Sequence, residues 1–188
     1  MNTYLIKLSE QGKGLFWVLS IATILVIYAM QITGNPLRNE VAPAGIVSFE
    51  LTGSLKGSLE IMNSWEGEAL GWAKINMGLD FLFLTCYALT IALACLLVGH
   101  SLRESWPRIW AAGRWFALAI MIAASLDVIE NLALIGLLAG WQVAFLPVLA
   151  KWSAIPKFGL VAVSLAYVIL GLILFNVSKF TLQRQDLD

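Results

Sequence analysis

The chain has 188 residues, 60% of them hydrophobic and 13% charged, with a mean hydropathy of +0.82 and a net charge of zero. A soluble domain is about half apolar and about a quarter charged. This balance, with apolar runs about 20 residues long, excludes an ordinary soluble domain and points to a polytopic all-α membrane protein of one domain, residues 1–188. The zero net charge supplies no field to draw nucleic acid, so no nucleic-acid partner is expected.

Taken in order, a short polar start carrying Lys7 and Lys13 leads into a first span over residues 14–33. A basic start before an apolar run resembles a signal peptide. Ala42-Pro43-Ala44 lies too far past the run for cleavage, so the run is read as an anchor. Asn35-Pro36 and Ala42-Pro43 then punctuate turns. Residues 48–65 read as one amphipathic helix on the membrane surface or capping the bundle. Its apolar stripe would be Leu51, Leu55, Leu59 and Met62, with Glu50, Ser54, Gly57, Glu60 and Ser64 around the other side. A new helix starts near Glu68, and the second span covers 75–99.

A basic connector with Arg103, Arg108 and Arg114 follows, and Pro107 opens the next helix, where its missing N–H is harmless. The third span covers 115–140. Residues 141–156 read as a non-spanning link, because Pro147 and Pro156 interrupt a continuous helix. The fourth span covers 157–177. Trp17, Trp72, Trp110, Trp115, Trp141 and Trp152 fall near the ends of apolar runs, where interfacial aromatic belts belong. Four spans place both termini on one side. Lys7, Lys13, Arg103, Arg108, Arg114, Lys179 and Arg184 stand there, against Arg38, Lys56, Lys74, Lys151 and Lys157 opposite. Seven against five makes the termini cytoplasmic.

The functional signal is Asp127-Val128-Ile129-Glu130-Asn131, in the middle of the third span. Asp127, Glu130 and Asn131 are spaced i, i+3, i+4 and share one helix face, continued by Phe116, Ile120, Ala123, Leu134 and Leu138. One acidic side chain at mid-bilayer costs roughly 2.5–3.5 kcal/mol on insertion scales, so this face points into the bundle. Depth chooses its partners. Glu130 lies about 5 Å to the outer side of Asp127 and Asp80 about 10 Å to the outer side of the second span's middle, at 1.5 Å per residue. Tyr28 and Tyr167 fall at similar levels, and Tyr87 shares the face of Asp80. The expected cluster is therefore Asp80, Asp127, Glu130, Asn131, Tyr28, Tyr87 and Tyr167. No Lys, Arg or His is expected at its depth, although Lys74 and Lys157 have stems long enough to reach partway from the span ends. Three carboxyls without a cation cannot all be ionised unless a cation or cationic ligand binds.

No cofactor is evident. The single His100 sits at a membrane edge, so one chain offers no bis-His haem site. Cys86 and Cys95 are nine residues apart on roughly opposite faces of a helix, cannot bridge, and read as apolar packing. Any metal site would use Asp127 and Glu130 as oxygen ligands, as for Mg²⁺. Gly136-x-x-x-Gly140 and Ala162-x-x-x-Ala166 permit close helix contact, within the monomer or across a homo-oligomer face.

Gly78-Leu79-Asp80-Phe81-Leu82-Phe83 with Tyr87, and Asp127-x-x-Glu130-Asn131, resemble segments of small uncharacterised bacterial four-span membrane proteins. Phe49-Glu50-Leu51-Thr52-Gly53 and Trp65 extend the resemblance over most of residues 46–135. It implies the four-span fold and a bacterial inner membrane, and no activity. Three functional expectations follow from the residues. One is binding of a small amphiphile, lipid or cation at the carboxylate cluster. A second is a small membrane enzyme acting on a lipid through Asp127 and Glu130. A third is an assembly subunit whose surface helix binds a membrane-protein partner, with the acids purely structural.

Overall fold

The structure, a computed structural model, describes residues 3–185, with side chains from 12 to 179; Lys7 and Arg184 lie outside the described side chains. All its regular elements are helical: α1 (Thr3–Gly34), a 3-10 turn (Asn35–Leu37), α2 (Ile46–Leu51), α3 (Leu55–Ser64), α4 (Ala69–Ser101), α5 (Pro107–Leu138) and α6 (Phe145–Gln185). Four of these are long and apolar enough to cross a bilayer, over Gly12–Leu37, Ala69–Ser101, Pro107–Leu138 and Phe145–Lys179, so the chain is an integral membrane protein. A 33-residue helix such as α4 is about 50 Å long at 1.5 Å per residue, longer than the roughly 30 Å hydrocarbon core.

The four long helices are not equivalent. α4, α5 and α6 pack against one another, while α1 lies outside against α4. Only 6% of the apolar stretch of α1 is buried, against 44% for α5. Polar side chains join α1 to α4. Asn76 Nδ2 donates to Met30 O at 2.9 Å and to Thr33 Oγ1 at 2.7 Å. Thr23 Oγ1 and Thr90 Oγ1 lie 3.1 Å apart. Hydrocarbon offers these groups no alternative partner, which is why such bonds hold helices together in lipid.

The segment between α1 and α4 folds over the end of the bundle distant from the termini. Leu37, Phe49, Ile61 and Trp65 are buried there together with Met77 of α4 and Leu134 and Leu137 of α5. Trp65 Nε1 donates to Leu37 O at 2.9 Å, and its ring meets Phe49 edge-on, 5.4 Å between centroids. The tryptophan thus fills apolar space while its one polar atom is satisfied.

Three expectations require correction. The first concerns the surface helix over 48–65, which is two helices, α2 and α3. Gly53 adopts φ +66, and Ser54 caps α3 by accepting from Gly57 N at 3.2 Å. The break resets the helical phase. Of the expected apolar stripe, Leu55 and Met62 pack against the core, but Leu51 is exposed, and the most buried residues are Phe49, Glu50, Ser58 and Ile61.

The second concerns the link over 141–156. From Phe145 onward it belongs to α6, which runs through both prolines. Pro147 lies in the first turn, where no N–H is needed, and Pro156 forfeits one backbone bond that a long membrane helix tolerates. Lys157 is consequently twelve residues into α6, about 18 Å from its start, and not at its outer edge.

The third concerns the paired small residues as contacts within the monomer. Gly140 is outside α5 with φ +90, and Ala162 and Ala166 are exposed. The tight helix contact is instead between Gly99 and Gly113, where a Cβ added to Gly113 would lie 2.7 Å from Cys95 O and 3.5 Å from Gly99 Cα.

Candidate functional site

Asp127, Glu130 and Asn131 point into the interior from one face of α5, and Glu130 and Asn131 have no exposed surface. Ile120, Ala123, Leu134 and Leu138 of the same face are buried with them. From α4, Tyr87 donates its hydroxyl to Asp127 Oδ2 at 2.9 Å. Asn131 Nδ2 donates to Asp80 Oδ2 at 2.6 Å. Two hydrogen bonds thus tie this face of α5 to α4, at residues seven positions or two turns apart along α4.

The expectation of no basic residue at this depth is wrong. Lys157 is 6% exposed, and its Nζ lies 2.9 Å from Asp127 Oδ1 and 2.6 Å from Glu130 Oε2. One ammonium therefore bridges two carboxylates that follow each other by one turn of α5. Lys157 was legible as a long-stemmed residue near the site. Its true depth is hidden in the sequence because Pro156 reads as the end of a link and Lys157 as the start of the fourth span. An isolated ion pair at this depth would not repay its desolvation, but paired and hydrogen-bonded charges can persist.

A fourth carboxyl joins the site from outside the spans. Glu50 of α2, expected on the side of the surface helix away from its apolar stripe, is 7% exposed, and Glu130, Lys157, Asp80 and Asp127 act on it electrostatically. Burial pushes its pKa up to about 8, with the negative field of Glu130 next. Lys157 opposes that rise, and Asp80 and Asp127 add to it. The clue in the sequence is Phe49: a large apolar residue beside Glu50 fixes which way α2 must turn, once the helix is known to break at Gly53.

Two expected members are elsewhere. Tyr28 is 67% exposed on the outer face of α1, because α1 presents only its α4-facing edge to the bundle. Tyr167 is buried near the other end, stacked on Phe116 at 4.6 Å, and donates to Ile109 O at 3.0 Å. It is ten residues, about 15 Å, along α6 from Lys157. The site therefore comprises Asp80, Asp127, Glu130, Asn131 and Tyr87 with the addition of Lys157 and Glu50.

Acceptors exceed donors here. The Lys157 ammonium contacts two carboxylates, and Asp80 and Glu50 lie within their electrostatic reach. Glu130 Oε1 and Asn131 Oδ1 are buried without a hydrogen-bond partner among the described residues. No three His, Cys, Asp or Glu side chains among the described residues converge as a metal-binding set. Beside the site, α1, α2 and α4 enclose a cavity of about 220 Å³ lined by Ile27, Met30, Arg38, Ile46, Asn76 and Phe83 among others. Asn76 stands one turn of α4 from Asp80, and the Phe83 ring lies 5.0 Å from that of Tyr87.

The fold and this centre define an integral membrane protein of the helical-bundle class with a buried acid–lysine site. Comparison with family models, with curated proteins and with solved structures gives no match to the chain.

Proposed function

We propose that the protein binds a small cation, or the cationic head of an amphiphile, at the centre formed by Glu50, Asp80, Asp127 and Glu130. The observation that carries this reading is the surplus of acceptors: of the four carboxyls, Lys157 contacts Asp127 and Glu130, while Glu130 Oε1 and Asn131 Oδ1 lack donors among the described residues. A buried acceptor without a donor is costly, by about 1–3 kcal/mol and more for a charged group. A ligand bringing N–H donors or positive charge supplies what the site lacks. Lys157 sets the precedent, since an alkylammonium is what the carboxylates already hold. The adjacent cavity offers room for an apolar tail along Ile27 and Phe83.

The enzyme reading has less support. A metal-assisted reaction finds no three His, Cys, Asp or Glu side chains among the described residues that converge to hold its metal, and both oxygens of Asp127 are already engaged, by Lys157 and by Tyr87. For the cellular setting we infer a bacterial inner membrane with cytoplasmic termini, supported by the motif resemblance and by the charge asymmetry. Removing Lys157, which is committed to the buried ion pairs, from the five opposing basic residues leaves four against seven.

The test is a melting experiment on purified protein in neutral detergent with dodecylammonium or dodecanol, which share a tail and differ in charge. Saturating ligand raises melting by roughly 5 °C or more at a hundredfold excess over Kd. The reading expects that rise with dodecylammonium alone, and its loss in Asp127→Asn/Glu130→Gln. Equal shifts from both compounds, or an unchanged ammonium response in the double variant, would overturn it. A variant that melts early yet keeps the ligand response would favour purely structural acids.

A further inference from the structure

A second cavity lies at the opposite end of the bundle, toward the termini, on the outer face where α5 and α6 meet. It is a groove of about 530 Å³, within the roughly 300–1,000 Å³ range of small-molecule sites. Small residues make room for it: Ala112 on α5 and Ala166 on α6. Tyr167 stacked on Phe116 backs it, with the tyrosine hydroxyl turned inward to Ile109 O, so the groove itself is apolar. Its α6 wall runs from Val163 to Leu174, eleven residues or about 16 Å, close to half of the roughly 30 Å hydrocarbon core. That is the depth of one leaflet.

Charge appears at one place only. Arg108, in the first turn of α5, lines the groove, is exposed, and has no carboxylate in ion-pair range among the described residues. Its basic neighbours are engaged differently: Arg103 and Arg114 lie over the Trp110 ring, 5.4 and 5.6 Å from its centroid. The flanking tryptophans Trp106 and Trp115 are exposed, at the level where aromatic belts meet headgroups. An unpaired guanidinium at the interfacial end of a leaflet-deep apolar groove is complementary to a phosphate joined to an acyl chain. The planar fork of arginine suits phosphate oxygens in particular.

We propose that this groove binds an anionic phospholipid, with one acyl chain along the apolar wall of α6 and the phosphate on Arg108. The site is separate from the acid–lysine centre and does not depend on it.

The experiment is native mass spectrometry of the full chain, released from neutral detergent with equimolar phosphatidylglycerol and phosphatidylcholine of identical chains. Wild type is expected to retain the anionic lipid about fivefold over the zwitterionic one, the effect of one basic residue at an anionic surface. Arg108→Ala brings the ratio near one, while Arg103→Ala/Arg114→Ala keeps it. Ala166→Trp fills the groove and lowers retention of both lipids. Equal retention by wild type, an unchanged ratio in Arg108→Ala, or the same loss in Arg103→Ala/Arg114→Ala would overturn the proposal. Should Ala166→Trp not fold, the arginine variants decide, because all three side chains are at the surface.

Discussion

The same three helices, α4, α5 and α6, are joined at two levels in chemically opposite ways. Toward the α2–α3 cap they meet through charge: Lys157 of α6 holds Asp127 and Glu130 of α5, and Tyr87 and Asp80 of α4 complete the contact. Toward the termini they meet through absence of side chain. Gly99 and Gly113 bring α4 and α5 together, and the Tyr167 hydroxyl closes over them onto Ile109 O. The glycine level is satisfied: the buried hydroxyls of Tyr167 and Ser164 have acceptors and the backbones are in contact. The charged level is not, since acceptors remain open there. Packing alone needs no such surplus, because small residues give close contact in lipid without charge burial. The surplus is what a ligand site would need.

Breaking each level in turn should give graded losses. The largest is expected from Lys157→Met, which leaves Asp127 and Glu130 as uncompensated buried acids. Removing one partner of a buried pair costs about 3–5 kcal/mol, read as unfolding in detergent, and adding Asp127→Asn should recover part of it.

The pH response comes next. Glu50 has a pKa raised in the folded state from 4.5 to about 8, so its contribution to stability is fully present below about 4.5 and is lost as pH rises through about 8. The groups facing it are Glu130, Lys157, Asp80 and Asp127. Melting of wild type should fall between pH 5 and pH 9 by more than that of Glu50→Gln. A parallel pair of curves would remove Glu50 from the site.

Tyr87→Phe withdraws a donor from a buried carboxylate and should cost about 1.5–3 kcal/mol. Gly113→Ala sets a Cβ 2.7 Å from a backbone oxygen that cannot step aside, so about 1–3 kcal/mol is expected at the glycine level. It should leave the ammonium response of the other level intact. Tyr28→Phe, on the exposed face of α1, should stay within about 0.5 kcal/mol of wild type. A large loss there would show that α1 carries more of the bundle than its contacts indicate.

Much of this was legible from residues alone. Four apolar runs define the all-α membrane fold. The i, i+3, i+4 spacing of Asp127, Glu130 and Asn131 fixes one buried face, and depth arithmetic brings Asp80 and Tyr87 to it. Depth arithmetic could not choose the rotation of a helix that is apolar all round, and so it admitted Tyr28, on a helix that shows the bundle only one edge. It placed Tyr167 too near as well, because the start of the fourth span was set at Lys157 instead of Phe145. The same boundary error hid Lys157. Proline rules taken from soluble helices end a helix at Pro156, whereas a long membrane helix carries one lost backbone bond without breaking. Glu50 was hidden by a single glycine: Gly53 breaks the helix, so the face of Glu50 and Leu51 could not be carried over from the residues of α3.

The most direct test of the central claim is chemical rescue. Lys157→Ala removes the resident ammonium and leaves a space between Asp127 and Glu130. Propylammonium, titrated into the purified variant while its melting is followed, should restore stability saturably, and isosteric neutral propanol should not. The same variant carrying Asp127→Asn and Glu130→Gln should show no rescue. Failure of propylammonium to stabilise Lys157→Ala, or equal stabilisation by propanol, would contradict the assignment of this centre as a cation site.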